Sequence, residues 1–364
     1  MSASTVRATE APLLRASGSA MAGEDMALIK RAATLGRELG AYKPVIYWAD
    51  TLASAVVGWG ALAALILLPG LAVAAQAVIA VAAVLGLYRL GSFIHEISHM
   101  KDDNVPGYRL AWNLIAGVPL MIPSFMYEGV HTLHHAKNRY GTARDPEYMA
   151  LALKPKLSLP LFVAVAALGP IGLLIRWAIL APVSLVIPGL RRRVESQLSA
   201  LAINPDFRRE PVTGMARARW QRLELATSTF AIAVLGATAF GIIPLRAFSI
   251  WLGVLSASMV INQVRTLAAH LWENDGGEMS ITAQYLDSVN VPPPALLPAL
   301  WAPVGLRYHA LHHLLPGLPY HALGEAHRRL RAELPADNSF HGGNHPSLAG
   351  VVARPWASAG TARG

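Results

Sequence analysis

Residues 71–100 read LAVAAQAVIAVAAVLGLYRLGSFIHEISHM. The first twenty are apolar apart from Gln76, Tyr88 and Arg89, and a helix of about 20 apolar residues spans the hydrocarbon core of a bilayer. Just past that run stand His95 and His99. An i, i+4 pair lies on one helix face, so the two imidazoles make a chelating pair. A membrane helix that runs out into metal ligands predicts chemistry at the edge of a bilayer, and the rest of the sequence is read outward from there.

The 364 residues are 54% hydrophobic and 15% charged, against roughly 25% charged in soluble domains. Cysteine is absent, which excludes disulfides, thiolate zinc sites, iron–sulfur clusters and a cysteine nucleophile. The net charge of +9 sits in residues flanking apolar runs. With only 7% aromatics there is no basic, aromatic-interleaved stripe of the kind that binds nucleic acid.

Three more windows have the length and composition of a span: Val45 to Pro69, Leu223 to Leu245, and Ala247 to about Leu267. With Leu71 to about Leu90 they form two hairpins, because the connectors at Pro69, Gly70 and at Ile243, Pro244, Leu245 are very short. Lys30, Arg31, Arg37 and Lys43 precede the first hairpin. Arg191, Arg192, Arg193, Arg208, Arg209, Arg217, Arg219 and Arg222, opposed by Glu195, Asp206 and Glu210, precede the second. The positive-inside rule then places both segments in the cytoplasm, with Trp48, Trp220 and Trp272 expected at the headgroup level. Leu110 to Met126 and Leu159 to Pro188 are apolar but broken by prolines, and the latter carries Arg176. They are expected to be interfacial or re-entrant, a third spanning hairpin over Leu159 to Pro188 being the alternative. The organisation expected is a cytoplasmic N-terminal segment, 1–44, partly disordered; a membrane domain, 45–331; and a disordered tail, 332–364. The fold class is an all-α membrane protein of four transmembrane helices in two hairpins, with interfacial helices and a cytoplasmic helical cap over a metal site.

Thirteen histidines are present, and most cluster. His131, His134 and His135 in HTLHH place rings at i, i+3 and i+4; His309, His312 and His313 in HALHH repeat the geometry; His270 follows the fourth run. Taken with His95 and His99, nine imidazoles fall on one predicted side. One tetrahedral ion with an open position needs three protein ligands, so two ions are implied. Imidazole suits Zn, Cu, Fe or Ni. A metal pair facing a bilayer meets hydrocarbon chains, and an unactivated C–H bond demands oxygen redox chemistry, which selects iron. Glu96, Asp145, Glu147 and Glu325 are the carboxylates nearest in sequence to fix ligand tautomers. His321 and His327 are read as surface or outer residues, His341 and His345 as non-ligands. HEISH also matches the zinc-protease pattern H-E-x-x-H with Glu96 as base, a reading that leaves His131, His134, His135, His309, His312 and His313 without a role.

At these boxes the chain resembles the integral-membrane fatty acid desaturase superfamily of desaturases, hydroxylases and carotenoid ketolases, over about residues 45–331. Residues 308–330, YHALHHLLPGLPYHALGEAHRRL, are similar to the third-box region of bacterial acyl-lipid desaturases. His270 resembles the extra ligand of acyl-CoA desaturases, where an Asn four residues earlier holds a metal-bound water; here that place is Thr266, with Asn262 and Asn274 as substitutes. The resemblance implies a non-haem di-iron centre using O2, with zinc able to replace iron in a purified sample. It also implies a lipid or acyl-chain substrate among membrane lipids and an external electron donor, ferredoxin or cytochrome b5 with its reductase, docking on the Arg-rich segments. The expected setting is a bacterial inner membrane with the boxes and both termini cytoplasmic. The expected reaction is desaturation of a fatty acyl chain; the alternatives are hydroxylation or ketolation of a lipid, sterol or carotenoid, an H-E-x-x-H zinc protease, or a metal-binding or transport protein without turnover.

Overall fold

The structure, a computed structural model, describes residues 23–359; the expectation for residues 1–22 lies outside them. Among the described residues there are helices and isolated bridges but no strands. Helix α1 (Met26–Leu39) begins at Asp25, whose carboxylate caps the Leu28 N–H at 3.0 Å. It is followed by α2 (Pro44–Leu67), α3 (Val73–His99), a composite helix α4 (Ser158–Ser184), α5 (Gly214–Ala239), α6 (Leu245–Leu267), α7 (His309–Leu314), α8 (Tyr320–Glu333) and α9 (Leu348–Ser358).

Among the described residues, four helices are long and apolar enough to cross a membrane: α2, α3, α4 and α6. Their outward residues are large and apolar, with Val45, Val56, Val73, Val78, Val165 and Leu245 all at least 57% exposed. Such a belt is stable only against lipid, and the chain is an integral membrane protein. The set of four departs from expectation at one place. The run expected from Leu223 to Leu245 lies mainly in α5, whose first turns carry Arg217, Arg219, Arg222 and Glu224, and the stretch expected as interfacial or re-entrant is the long helix α4. Arg176, the reason for doubting that stretch, is buried and paired: its guanidinium donates to Glu224 at 3.0 Å and to the Leu198 carbonyl at 2.7 Å. A charge with a partner inside the fold is not presented to lipid.

Helices α2 and α3 form the first hairpin and touch at Gly58 and Gly86, where a Cβ on Gly86 would stand 2.7 Å from the Gly58 backbone. Small residues let two membrane helices approach so closely. The 108–126 segment is a short helix, Tyr108–Trp112, running into a π turn, Asn113–Gly117. It folds back through Asn113, which bonds Ser124 through both side-chain amide atoms, as a re-entrant element does.

Two expectations are corrected. Trp220 and Trp272 are fully buried, not at the headgroup level: Trp220 stacks on Phe125 under Arg209, and Trp272 donates to the Leu267 carbonyl. The segment after Leu334 is folded as far as it is described. Phe340 and Val351 are buried, and α9 is capped by Ser347. The stretch before α9, residues 335–347, is rich in Pro, Gly, Asn and Ser, so no periodic face announces it.

Candidate metal centre

Nothing between Leu90 and Met100 stops a helix, so α3 continues nine residues past the predicted end and carries His95 and His99 on its last turns. His131 and His134 lie in a one-turn helix that follows the re-entrant segment. His309, His312 and His313 lie on α7, whose start is pinned by Asn290: its Oδ1 accepts the Leu311 N–H at 3.0 Å. His270 sits three residues past α6, held by an antiparallel bridge to Ser288.

These elements bring all nine predicted residues together, in two groups each able to hold an ion: His95, His99, His131, His135 and His312; and His134, His270, His309 and His313. Within each group the candidate ligand atoms lie within 4.8 Å of one another. The boxes are not each one site. His131 and His135, one turn apart, serve the first group, while His134 between them serves the second; in α7, likewise, His312 serves the first group and His309 and His313 the second.

The nitrogens fit an ion better than they fit one another. Nε2 of His135 stands 3.0 Å from Nε2 of His131 and 3.0 Å from that of His312; Nε2 of His309 stands 3.1 Å from those of His270 and His313. The Nε2 atoms of His95, His99 and His134 are buried with no hydrogen-bond partner. Imidazole nitrogens about 2.1 Å from one ion stand about 3.0 Å apart at right-angled bonds and about 3.4 Å apart at tetrahedral ones. Burial first, and neighbouring imidazoles after it, hold His131, His135, His270, His309, His312 and His313 well below the usual 6.5, so their lone pairs are free at neutral pH.

Behind the rings stand carboxylates. Asp145 faces Nδ1 of His134 at 2.9 Å and accepts the N–H groups of Gly141 and Glu147; its charge overcomes burial and raises His134. Glu147 faces Nδ1 of His131 at 2.7 Å and accepts from Tyr127 at 2.6 Å, burial pushing its carboxyl up to about 7. A proton on Nδ1 leaves Nε2 bare toward the ion, the usual arrangement behind metal-bound histidine. Glu96 lies behind His95 at 3.7 Å but is engaged by Tyr47 and the Tyr320 N–H.

The other predicted neighbours fare differently. Glu325 pairs with Arg328 on the outer face of α8, away from the histidines. Asn262 accepts from Arg265, Thr266 bonds the Asn262 carbonyl, and both line a cavity. Asn274 braces the Gly141 carbonyl, not an imidazole; Gly141, at φ +72°, has no room for a side chain against it. His321 packs on Tyr47 and His327 bonds Asn344, both outside the two groups, as are His341 and His345. The sequence reading missed Tyr140 and Asp287: the Tyr140 hydroxyl sits 2.9 Å from Nδ1 of His270 and donates to Asp287 at 2.7 Å. They lie 130 and 17 positions from His270, and only a lone buried acid in ITAQYLDSVNV (residues 281–291) hinted at one of them.

The cavity, about 540 Å³, lies between α3, α4 and α6. Its wall is mostly apolar and includes Tyr127, Glu147 and Thr266, so it reaches the groups behind His131.

A sequence model described as Fatty acid desaturase matches residues 69–342. The chain belongs to the fatty acid desaturase family. It is 47% identical over 329 residues to a protein of Caulobacter vibrioides (strain NA1000 / CB15N) named Ceramide hydroxylase, covering 90% of this chain and 93% of that protein. Membership of this family makes the chain an oxidoreductase of the membrane di-iron type, and the relative points to a different reaction within the family from the desaturation expected of the boxes.

Proposed function

We propose that the chain is an O2-dependent membrane hydroxylase of an amide-linked lipid of the ceramide type. One observation carries this reading: two convergent imidazole groups lie beside an apolar cavity, in a chain closely similar along its length to a ceramide hydroxylase. The overall change is R–H + O2 + 2 e⁻ + 2 H⁺ → R–OH + H2O. Desaturation would consume the same oxidant but remove a second hydrogen from the neighbouring carbon.

The nine histidines would hold two iron ions. The 3.0–3.1 Å spacing of the paired nitrogens suits right-angled coordination, and five histidines in one group exceed a tetrahedral shell. The iron pair supplies the oxidation of a C–H bond when bound. The chain's own part is to hold a lipid tail in the cavity, keep water out, and fix the ring tautomers through Asp145, Glu147 and the Tyr140–Asp287 pair. Electrons come from an external ferredoxin or cytochrome b5 with its reductase. Arg191, Arg217 and Arg219 are tied up in ion pairs with Glu195, Glu224, Asp102 and Glu128, so docking falls to the exposed Arg192, Arg193, Arg208 and Arg222. On this reading the face lies in the cytoplasm of a bacterial inner membrane, which the positive segments support.

The test is expression in a ceramide-producing bacterial host under ¹⁸O2, beside a His134→Ala control. The expected product is ceramide with one added labelled oxygen, absent from the control. Loss of two hydrogens without oxygen gain would restore the desaturase reading, and a single zinc per chain with unaltered lipids would refute both.

A further inference from the structure

Besides Arg176, which is paired with Glu224, the mostly apolar wall of the cavity includes a second arginine that this character does not explain. Arg265, on the last turn of α6, lines it beside Asn262, Gln263 and Thr266. One of its guanidinium nitrogens donates to Asn262 Oδ1 at 3.1 Å, while Nε is buried without a hydrogen-bond partner. Among the described residues no carboxylate stands within ion-pair distance of it. Arg265 is half-buried and its other polar neighbour is the Tyr88 hydroxyl, so it lacks the charged or threefold carbonyl partners of the two buried arginines: Arg176 has Glu224, and Arg209 has three backbone carbonyls. Arg265 has a donor left over, its Nε, and faces a half-open, mostly apolar space.

Its position is also specific. Arg265 precedes His270 by five residues and shares the cavity wall with Tyr127 and Glu147, the pair that stands behind His131. A polar group bound at Arg265 therefore lies close to the metal centre, not at the far end of a long tunnel. Most of the cavity's remaining surface is apolar, from Leu87, Ile94, Leu173 and Leu255 among others, so the acyl or sphingoid chain has a place to lie once its polar group is fixed.

We propose that Arg265 donates to the amide carbonyl of the lipid and thereby sets which carbon meets the metal centre, placing the new hydroxyl within a few bonds of the amide. This rests on the hydroxylase reading above. A guanidinium is suited to the task because it offers several donors in a rigid plane and keeps its charge in an apolar wall. No proton or electron passes through it; it is a positioning residue for substrate.

The experiment uses the full-length, iron-loaded protein in liposomes with its electron donors, and compares wild type, Arg265→Met and Arg265→Lys. Each receives ceramide, an analogue in which the amide carbonyl is reduced to a methylene, and free palmitate. Wild type is expected to hydroxylate ceramide at one position and to lose about 10- to 100-fold in kcat/KM on the reduced analogue, the size of a hydrogen bond to a charged group. Arg265→Met should show a similar loss on ceramide, mainly in KM, with hydroxyl positions scattered in tandem mass spectra, and Arg265→Lys should recover part of both. Iron content equal to wild type separates this from a structural defect. Should Arg265→Met fail to fold, the wild-type comparison decides alone: a reduced analogue turned over as well as ceramide, at the same carbon, overturns the proposal. So does an unchanged hydroxyl position in a folded Arg265→Met, or a dependence on Arg265 seen with palmitate and not with ceramide, which would make the residue a carboxylate site. No hydroxylated product from wild-type protein with any lipid would instead overturn the hydroxylase reading itself.

Discussion

Asp145 is the residue on which the second histidine group leans most directly. It aligns His134 and, through the N–H groups of Gly141 and Glu147, the loop that carries itself. Asp145→Ala is expected to lower bound iron and turnover about 10- to 100-fold, the usual cost of losing the carboxylate behind a metal-bound histidine, measured by elemental analysis and lipid assay; His341→Ala should leave both unchanged. Acid should act through the rings themselves. Six of them are held well below 6.5 by burial and by one another. The unfolded chain, with ordinary histidines, therefore binds more protons than the folded one as pH falls below 6.5, so their contribution to stability declines with acidification, and protonation competes with the metal for the same lone pairs. Iron retained after gel filtration should fall as the buffer goes from pH 7.5 toward about 5. His134 runs the other way, raised by Asp145 against burial, and is expected to be the first ring protonated in apoprotein.

The α2–α3 hairpin positions the first group, because His95 and His99 ride on the far end of α3. Its tightest point is the Gly58–Gly86 contact, where either Cβ meets the other helix's backbone at under 3.0 Å. Gly86→Val should force the helices apart and cost about 1–3 kcal/mol, the range for overpacking a filled interior. The expected readout is a lowered melting temperature in detergent together with loss of iron, although the position lies more than two turns from His95. Gly60, with open space around it, is the control: Gly60→Ala should change neither.

At the scale of the whole molecule, the two histidine groups are closed by parts of the chain that hold no ligand. His345 and Gly343 bond the backbone of Asn290, and Asn290 in turn receives the Leu311 N–H of α7. A chain truncated after Leu334 removes none of the nine histidines, yet it is expected to lose iron from the second group and most activity, seen as roughly half the metal per chain. The sequence by itself determined the membrane class and the first hairpin, and it singled out the nine histidines that the fold gathers, because each of those signals is local: a run of apolar residues about as long as a bilayer is thick, and imidazoles repeating at one helical turn. Only the tertiary structure decided that residues within one box are shared between two groups, that Arg176 finds Glu224, that Tyr140 and Asp287 stand behind His270, and that the last segment folds back onto Asn290. Those pairings join positions tens to hundreds of residues apart, and a side chain's partner at that range is set by how helices pack, which no spacing along the chain encodes.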